Sequence, residues 1–249
     1  MSERERCLGR LLGKVKRTCR RWALLPSGVP IALGVSGGTD SLALVTLVTA
    51  LNRTLREPHP VIGIHVRVDA DGLAPVLPEA STSWCAEQGV EVVEVEPRLE
   101  ARETPPLGCF ECARVRRRTL LEEADRRGYR LVALGHHGDD VVETYLLTLF
   151  YTGRAEGMGA RRDYFDGTVT VVRPLYELRK SELERLTRLA EAPVATSSCR
   201  RDQEEASRER IRRALAAMGS DQRRVRRQLF WAAERRARGA GPAVDENQG

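Results

Sequence analysis

The stretch "LGVSGGTDSLAL", Leu33 to Leu44, constrains this chain more than any other. Ile31, Leu33 and Val35 alternate as a strand does, and Leu42, Leu44, Leu47 and Val48 recur at helical spacing. Between them Gly37-Gly38 allows a sharp turn. A strand, a glycine turn and a helix start leave bare backbone N–H groups at a helix N-terminus, a cradle for an anion and most often for phosphate. An ordinary βα turn with a Ser or Thr cap uses the same glycines, so the rest of the chain must decide. The Walker A spacing is absent. Instead Ser36 and Ser41 flank the turn with hydroxyls, and Asp40 sets a carboxylate beside it. A carboxylate next to a polyphosphate calls for a cation between them, normally Mg²⁺.

The chain around this turn alternates strand and helix. "IALGV" precedes a helix over about residues 41–55, and "VIGIHVRV" one over about 79–88. "VEVVEV" precedes a polar loop and a helix over about 112–127, and "LVALG" a helix over about 140–150. Repeated βα units predict an α/β fold, a doubly wound parallel sheet covered on both faces, with ligands at the carboxyl ends of the strands. After Tyr151 a Gly-rich connection leads to the extended "GTVTVVRPL" and then to helices alone, the last two over about 203–218 and 221–236. The expected organisation is a basic amphipathic helix (1–25) with a Leu8, Leu11, Leu12, Val15, Trp22 stripe, an α/β domain (26–178), a basic helical region (179–238) and a disordered tail (239–249).

No apolar run approaches the roughly 18 residues of a membrane helix and no signal peptide opens the chain, so a cytoplasmic location without membrane attachment is expected. Six cysteines in such a chain argue against a disulfide framework. "CFEC", Cys109 to Cys112, can bite a metal or part of an iron–sulfur cluster, or form a redox dithiol. Cys199 lies in the polar "TSSCRRDQEE", whereas Cys7, Cys19 and Cys85 sit in helical patterns that suit packing. The net charge is +6, with arginine crowded at 17–21, at 114–118 and beyond 200. Such clusters suit a polyanion such as RNA, and Arg116, Arg117, Arg208 and Arg212 are the expected phosphate contacts. Solvated helix faces are the plainer account of the same charge.

"GHHGDD" follows one strand and opens the next helix, so His136, His137, Asp139 and Asp140 are expected across from the glycine turn, the aspartates also capping the helix. "SGGTDS" and "LGHHGDDVVETYLLTLFYTGR" together resemble the two motifs of the PP-loop ATP pyrophosphatases. The resemblance implies an adenine nucleotide alpha hydrolase-like fold. It also implies an ATP site of Ser36, Gly37, Gly38, Thr39, Asp40, Ser41, Gly135, His136 and Asp140, with Asp40 and Asp139 toward Mg²⁺. In those proteins the end of the second strand meets the adenosine, which makes His65, Val66 and Arg67 candidates here.

Over roughly Ile31 to Met218, "CFECARVRRRTLL", "LFYTGRAEGM" and "VVRPLYELRKSEL" extend the resemblance to the tRNA 2-thiocytidine synthetase family. That family implies an ATP-dependent sulfurtransferase that adenylates a base carbonyl of tRNA and replaces the oxygen by sulfur. The carry-over places a [4Fe–4S] cluster on Cys109, Cys112 and Cys199, with Asp40 as the fourth catalytic residue. A sulfur donor such as a cysteine desulfurase and a homodimer are further expectations. The chain departs from the pattern at Thr39, where the family loop commonly has lysine. It departs again at Thr196, where a second C-x-x-C would begin, and at Arg200 after Cys199. The residues leave three other readings open: a ligase of the lysidine-synthetase type, thiolation of a small molecule, and a zinc-bearing RNA-binding module.

Overall fold

The computed structural model describes residues 1–69, 71–72, 74, 76–101, 103–195 and 203–239, with Cys109 and residues 203–206 described by backbone alone. The chain forms two compact units, Met1–His137 with Ala160–Glu204, and Gly138–Gly159 with Glu205 onward.

The first unit is built on a six-stranded sheet of order β3-β2-β1-β4-β6-β5. Its strands are β1 (Ile31–Gly34), β2 (Val61–Val66), β3 (Val92–Val95), β4 (Leu131–Ala133), β5 (Arg161–Tyr164) and β6 (Val169–Val172). All neighbours pair in parallel except β5, which runs antiparallel to β6 with Arg161 opposite Val172. The winding reverses between β1 and β4, where Ile31 stands between Val61 and Leu131. A crevice forms at such a reversal beyond the carboxyl ends of the strands, and here those ends lead into Val35–Gly38 and Leu134–His137. β5 escapes the periodicity because "RRDY" is charged. Charges blunt an exposed sheet edge, and they also erase the apolar alternation that marks a strand.

Helix α2 (Thr39–Asn52) is buried at every position from Ser41 to Leu51. A helix apolar all round must be enclosed, and α1 (Glu3–Trp22) and α6 (Lys180–Leu189) both pack on it. The first segment drawn apart in the sequence, and α6 at the start of the third, therefore belong to the same unit as the sheet, whereas α8 (Gln222–Gly239) does not. α1 is not a free basic arm. Ser2 and Glu5 form a capping box, and the buried stripe is Cys7, Leu11, Val15 and Thr18. Leu8, Leu12 and Trp22 of the expected stripe are only half-buried. Lys14 on α1 donates to the nearly buried Glu182 on α6 at 2.8 Å. The opposite face of the sheet is covered by α4 (Cys109–Arg126), whose Cys112, Val115, Leu120, Leu121 and Ala124 share a core with Ala32, Ile62, Ile64 and Val132. α3 (Glu79–Glu87) packs beside β3.

The second unit packs α5 (Gly138–Thr152) against α8 (Gln222–Gly239), with α7 (Gln203–Ala216) alongside. Glu143 of α5 is buried and receives Arg212 Nε at 2.9 Å and Arg212 Nη2 at 3.0 Å, with Arg208 at 3.8 Å. The expected tail, apart from Gly239, lies outside the described residues.

Candidate functional site

The glycine turn after β1 has the geometry its sequence predicts. Gly37 sits at φ +76°, a conformation that side chains with a Cβ rarely adopt, and an added Cβ would lie 2.7 Å from Leu77 Cδ1. Gly38 is the N-cap of α2 and offers no side chain to the first turn, so the helix end keeps its N–H groups for a ligand. Ser41 Oγ donates to Gly38 O at 2.9 Å, and Ser36 Oγ lies 3.3 Å from Ser41 Oγ. Gly37 O accepts the N–H of Ala195 at 2.9 Å, which ties the chain beyond α6 to the turn. These donors and the Asp40 carboxylate suit a Mg²⁺–polyphosphate, as the sequence suggests.

Asp40 is held by a residue the sequence did not single out. Lys180 Nζ, at the start of α6, lies 2.8 Å from both carboxylate oxygens. "LRKSEL" reads as an ordinary capped helix start, and nothing in its spacing reveals that α6 lies across α2. His137 is buried, with Nε2 3.6 Å from Asp40 Oδ1. The sequence could not choose between the two histidines and put His136 in the ATP site, whereas His137 is the one that faces Asp40. His136 Nδ1 instead accepts from Arg173 Nε at 3.4 Å. Arg173 is itself buried at the end of β6, and burial pushes its guanidinium down to about 10. Gly135 is needed for close approach: a Cβ there would stand 2.8 Å from Asp40 O.

At the end of β2, His65 Nδ1 lies 2.8 Å from Val35 O, so its ring is fixed to the start of the turn. Val66 follows on the same strand. Its side chain is in the core beneath α4, the result of strand alternation, which leaves only its backbone for a nucleotide. Arg67 is turned to Ala74 O and Glu96.

Asp139 and Asp140 open α5 in the second unit. Asp139, expected at Mg²⁺, accepts from Arg226 Nη1 at 2.8 Å. Arg208 and Arg212, expected on RNA, are the partners of Glu143. Both departures have one cause: the acids of α5 attract arginines of α7 and α8 that look like free surface charge in the sequence.

Of the three cysteines, Cys199 lies outside the described residues, as do Thr196 and Arg200. Cys112 is buried on α4, with its sulfur 3.9 Å from Val68 O and 3.5 Å from Arg116 Nη2. The same nitrogen donates to Val68 O at 2.8 Å, so Arg116 has a local task in addition to any contact with a polyanion. Arg117 is exposed. Phe110, between the paired cysteines, is 75% exposed. No group of three His, Cys, Asp or Glu side chains placed to hold a metal occurs among the described residues.

The loop leading to Cys109 is anchored by Glu103, another residue without a sequence signal. Its buried carboxylate receives Arg118 at 2.6 and 2.9 Å and Arg114 at 3.0 Å, which hold it at about 2 instead of 4.5. The folded value lies below the unfolded one, so this stabilisation is complete above pH 4.5 and is lost as pH falls toward 2. Glu103→Gln is expected to cost about 2 kcal/mol at neutral pH. Urea unfolding should show the gap to the parent narrowing through that acid window, and a gap independent of pH would count against the assignment.

Comparison with known proteins adds sequence and fold likeness. The model of the PP-loop domain family matches residues 14–218. The chain is 32% identical over 191 residues to a tRNA-cytidine(32) 2-sulfurtransferase of Enterobacter sp. (strain 638), covering 74% of this chain and 60% of that protein. It is 30% identical over 209 residues to the protein of the same name from Marinobacter nauticus, covering 82% and 68%. The chain thus spans about three-fifths to two-thirds of the length of these relatives. In fold it is similar to the U34-tRNA thiolase NcsA from Methanococcus maripaludis, solved with its [4Fe-4S] cluster, at a TM-score of 0.74 and 20% identity over 97% of this chain and 82% of that one. Among the described residues no helix is long and apolar enough to cross a membrane.

Proposed function

Because the chain belongs to the PP-loop family, in the branch of the tRNA-cytidine(32) 2-sulfurtransferases, we propose that it is an ATP-dependent tRNA thiolation enzyme. Mg²⁺–ATP binds with its phosphates on the Gly37-Gly38 turn and the N-terminus of α2, and Asp40 faces the metal. The carbonyl oxygen of a tRNA base attacks the α-phosphorus, and pyrophosphate leaves with the bonding pair. A sulfide equivalent then adds to the same carbon, and AMP departs with the oxygen. His137 and Lys180 orient Asp40, and Gly135 lets the β4 loop close on it. Holding the activated base where sulfide reaches it before water does is the main catalytic device. A [4Fe–4S] cluster on Cys109, Cys112 and Cys199, when bound, would supply iron that carries the sulfur. Arg116 holds the Cys112 sulfur in place. A cysteine desulfurase supplies sulfur, and the enzyme works as a cytoplasmic homodimer.

The observation that carries this reading is the hydrogen bond from Ala195 to Gly37 O. Ala195 is the last described residue before Cys199, so the chain that leads to the third cysteine starts on the phosphate turn. Cys199→Ser, reconstituted anaerobically with iron and sulfide, is expected to lose the visible charge-transfer absorbance of the cluster and all thiolation. ATP binding should persist. Full iron content and activity in that variant would exclude the three-cysteine site.

A further inference from the structure

Seven arginines lie on α8, and the structure divides them into two groups. Arg226 is bound to Asp139 and Arg238 to Glu234. Arg223, Arg224, Arg227, Arg235 and Arg236 are exposed and form no ion pair among the described residues. On α7 three of the four arginines are committed to carboxylates, Arg208 and Arg212 to Glu143 and Arg213 to Glu209, and Arg210 lies against Tyr151.

Three of these exposed arginines share one stripe of the helix with Trp231, which packs on Phe230. Arg224, Arg227, Trp231 and Arg235 recur at i, i+3, i+7 and i+11, one stripe about 16 Å long at 1.5 Å per residue. Arg235 also borders an open recess of ≈440 Å³ lined by Tyr145, Ala232, Arg235 and Arg236. Two guanidinium forks and a phenol ring at one recess match the parts of a nucleotide, since a fork binds phosphate in two-point fashion and a ring accepts a base by stacking. A membrane surface is the poorer match. A helix lying on lipid needs an exposed apolar face, and Phe230 and Ala233 of α8 are buried.

We infer that this face of α8 grips the RNA backbone, with phosphates along Arg224, Arg227 and Arg235 and one nucleotide seated between Tyr145 and Arg236. The stripe is long enough for roughly four nucleotides at 3.4 Å of axial advance each. The inference rests on the proposal that the acceptor is tRNA.

The test is tRNA binding by fluorescence anisotropy across a range of salt concentrations, with melting curves as the control for folding. In Arg224→Gln/Arg227→Gln/Arg235→Gln the log–log salt slope should flatten by about two to three units, and affinity at low salt should fall at least tenfold. The same three positions changed to Lys should keep most of the slope, which a packing role would not predict. Arg208→Gln/Arg212→Gln should lower the melting temperature and leave the slope near that of the parent. An unchanged slope in the triple Gln variant, or equal binding of anionic vesicles and tRNA by the parent, would overturn the grip. Mass spectrometry of tRNA nucleosides from a strain lacking the chain tests the acceptor separately. A missing thiolated base there, with a flat slope in the triple variant, supports both readings; a normal base content defeats the functional one alone.

Discussion

Asp40→Asn is expected to lower ATP-dependent pyrophosphate release by on the order of 100-fold or more, while the melting temperature stays within a few degrees of the parent. The carboxylate is the one acid in the turn sequence from Leu33 to Leu44, and it stands at the N-terminal end of α2 where the phosphates are proposed to lie. Its side chain is one-third exposed and reached by Lys180, so it contributes little to packing, and an exposed ion pair contributes about 1 kcal/mol or less. Asparagine keeps the shape and removes the charge. The lost quantity is therefore electrostatic stabilisation of the metal-bound triphosphate as charge moves toward the leaving pyrophosphate, and removal of one such contact in other enzymes costs roughly 10²–10³ in turnover. A pyrophosphate assay at saturating ATP, repeated over a Mg²⁺ titration, checks both parts. Near-parental rates at ordinary Mg²⁺ would remove Asp40 from the metal.

Gly135→Ala is expected to damage the same site from the opposite wall. The new Cβ would stand 2.8 Å from Asp40 O and 2.9 Å from Asp40 C. Both are main-chain atoms, so no rotamer change relieves the contact, and either the β4 loop or the first turn of α2 must move. Overpacking of this kind costs about 1–3 kcal/mol. The functional loss should be larger than that figure suggests, because a displacement near 1 Å between groups that must converge can cost about 100-fold in rate. Urea unfolding gives the first quantity and the pyrophosphate assay the second. A variant with parental stability and rate would mean that the approach of Gly135 to Asp40 plays no part in the site.

The central half of this molecule was legible because its signals are local. The turn at Gly37-Gly38 needs a particular backbone conformation, and α2 declares its burial by carrying no charge between Asp40 and Arg53. The parallel sheet follows from strands and helices taken in turn. What stayed hidden depends on contacts between distant segments. Lys180 meets Asp40 across 140 positions of sequence, and Arg118 meets Glu103 from the basic run at the middle of α4. The pairing of the α7 arginines was hidden for the same reason: a guanidinium bound to Glu143 and one facing water have the same letter. β5 was missed because the charges that protect a sheet edge remove the pattern that reveals a strand.

The pairing of Asp40 with Lys180 has a consequence for how a nucleotide would arrive. In the resting protein the turn presents a neutral dipole next to a bare helix end, so an incoming polyanion meets no net repulsion at the door. A divalent ion carried in with it must compete for the two oxygens that the ammonium now holds. If a metal took that bidentate seat, like charge would push Lys180 outward, toward the nearest negative oxygens. The resident ammonium is in this sense a place-holder: it keeps the carboxylate turned toward the seat that a metal would take.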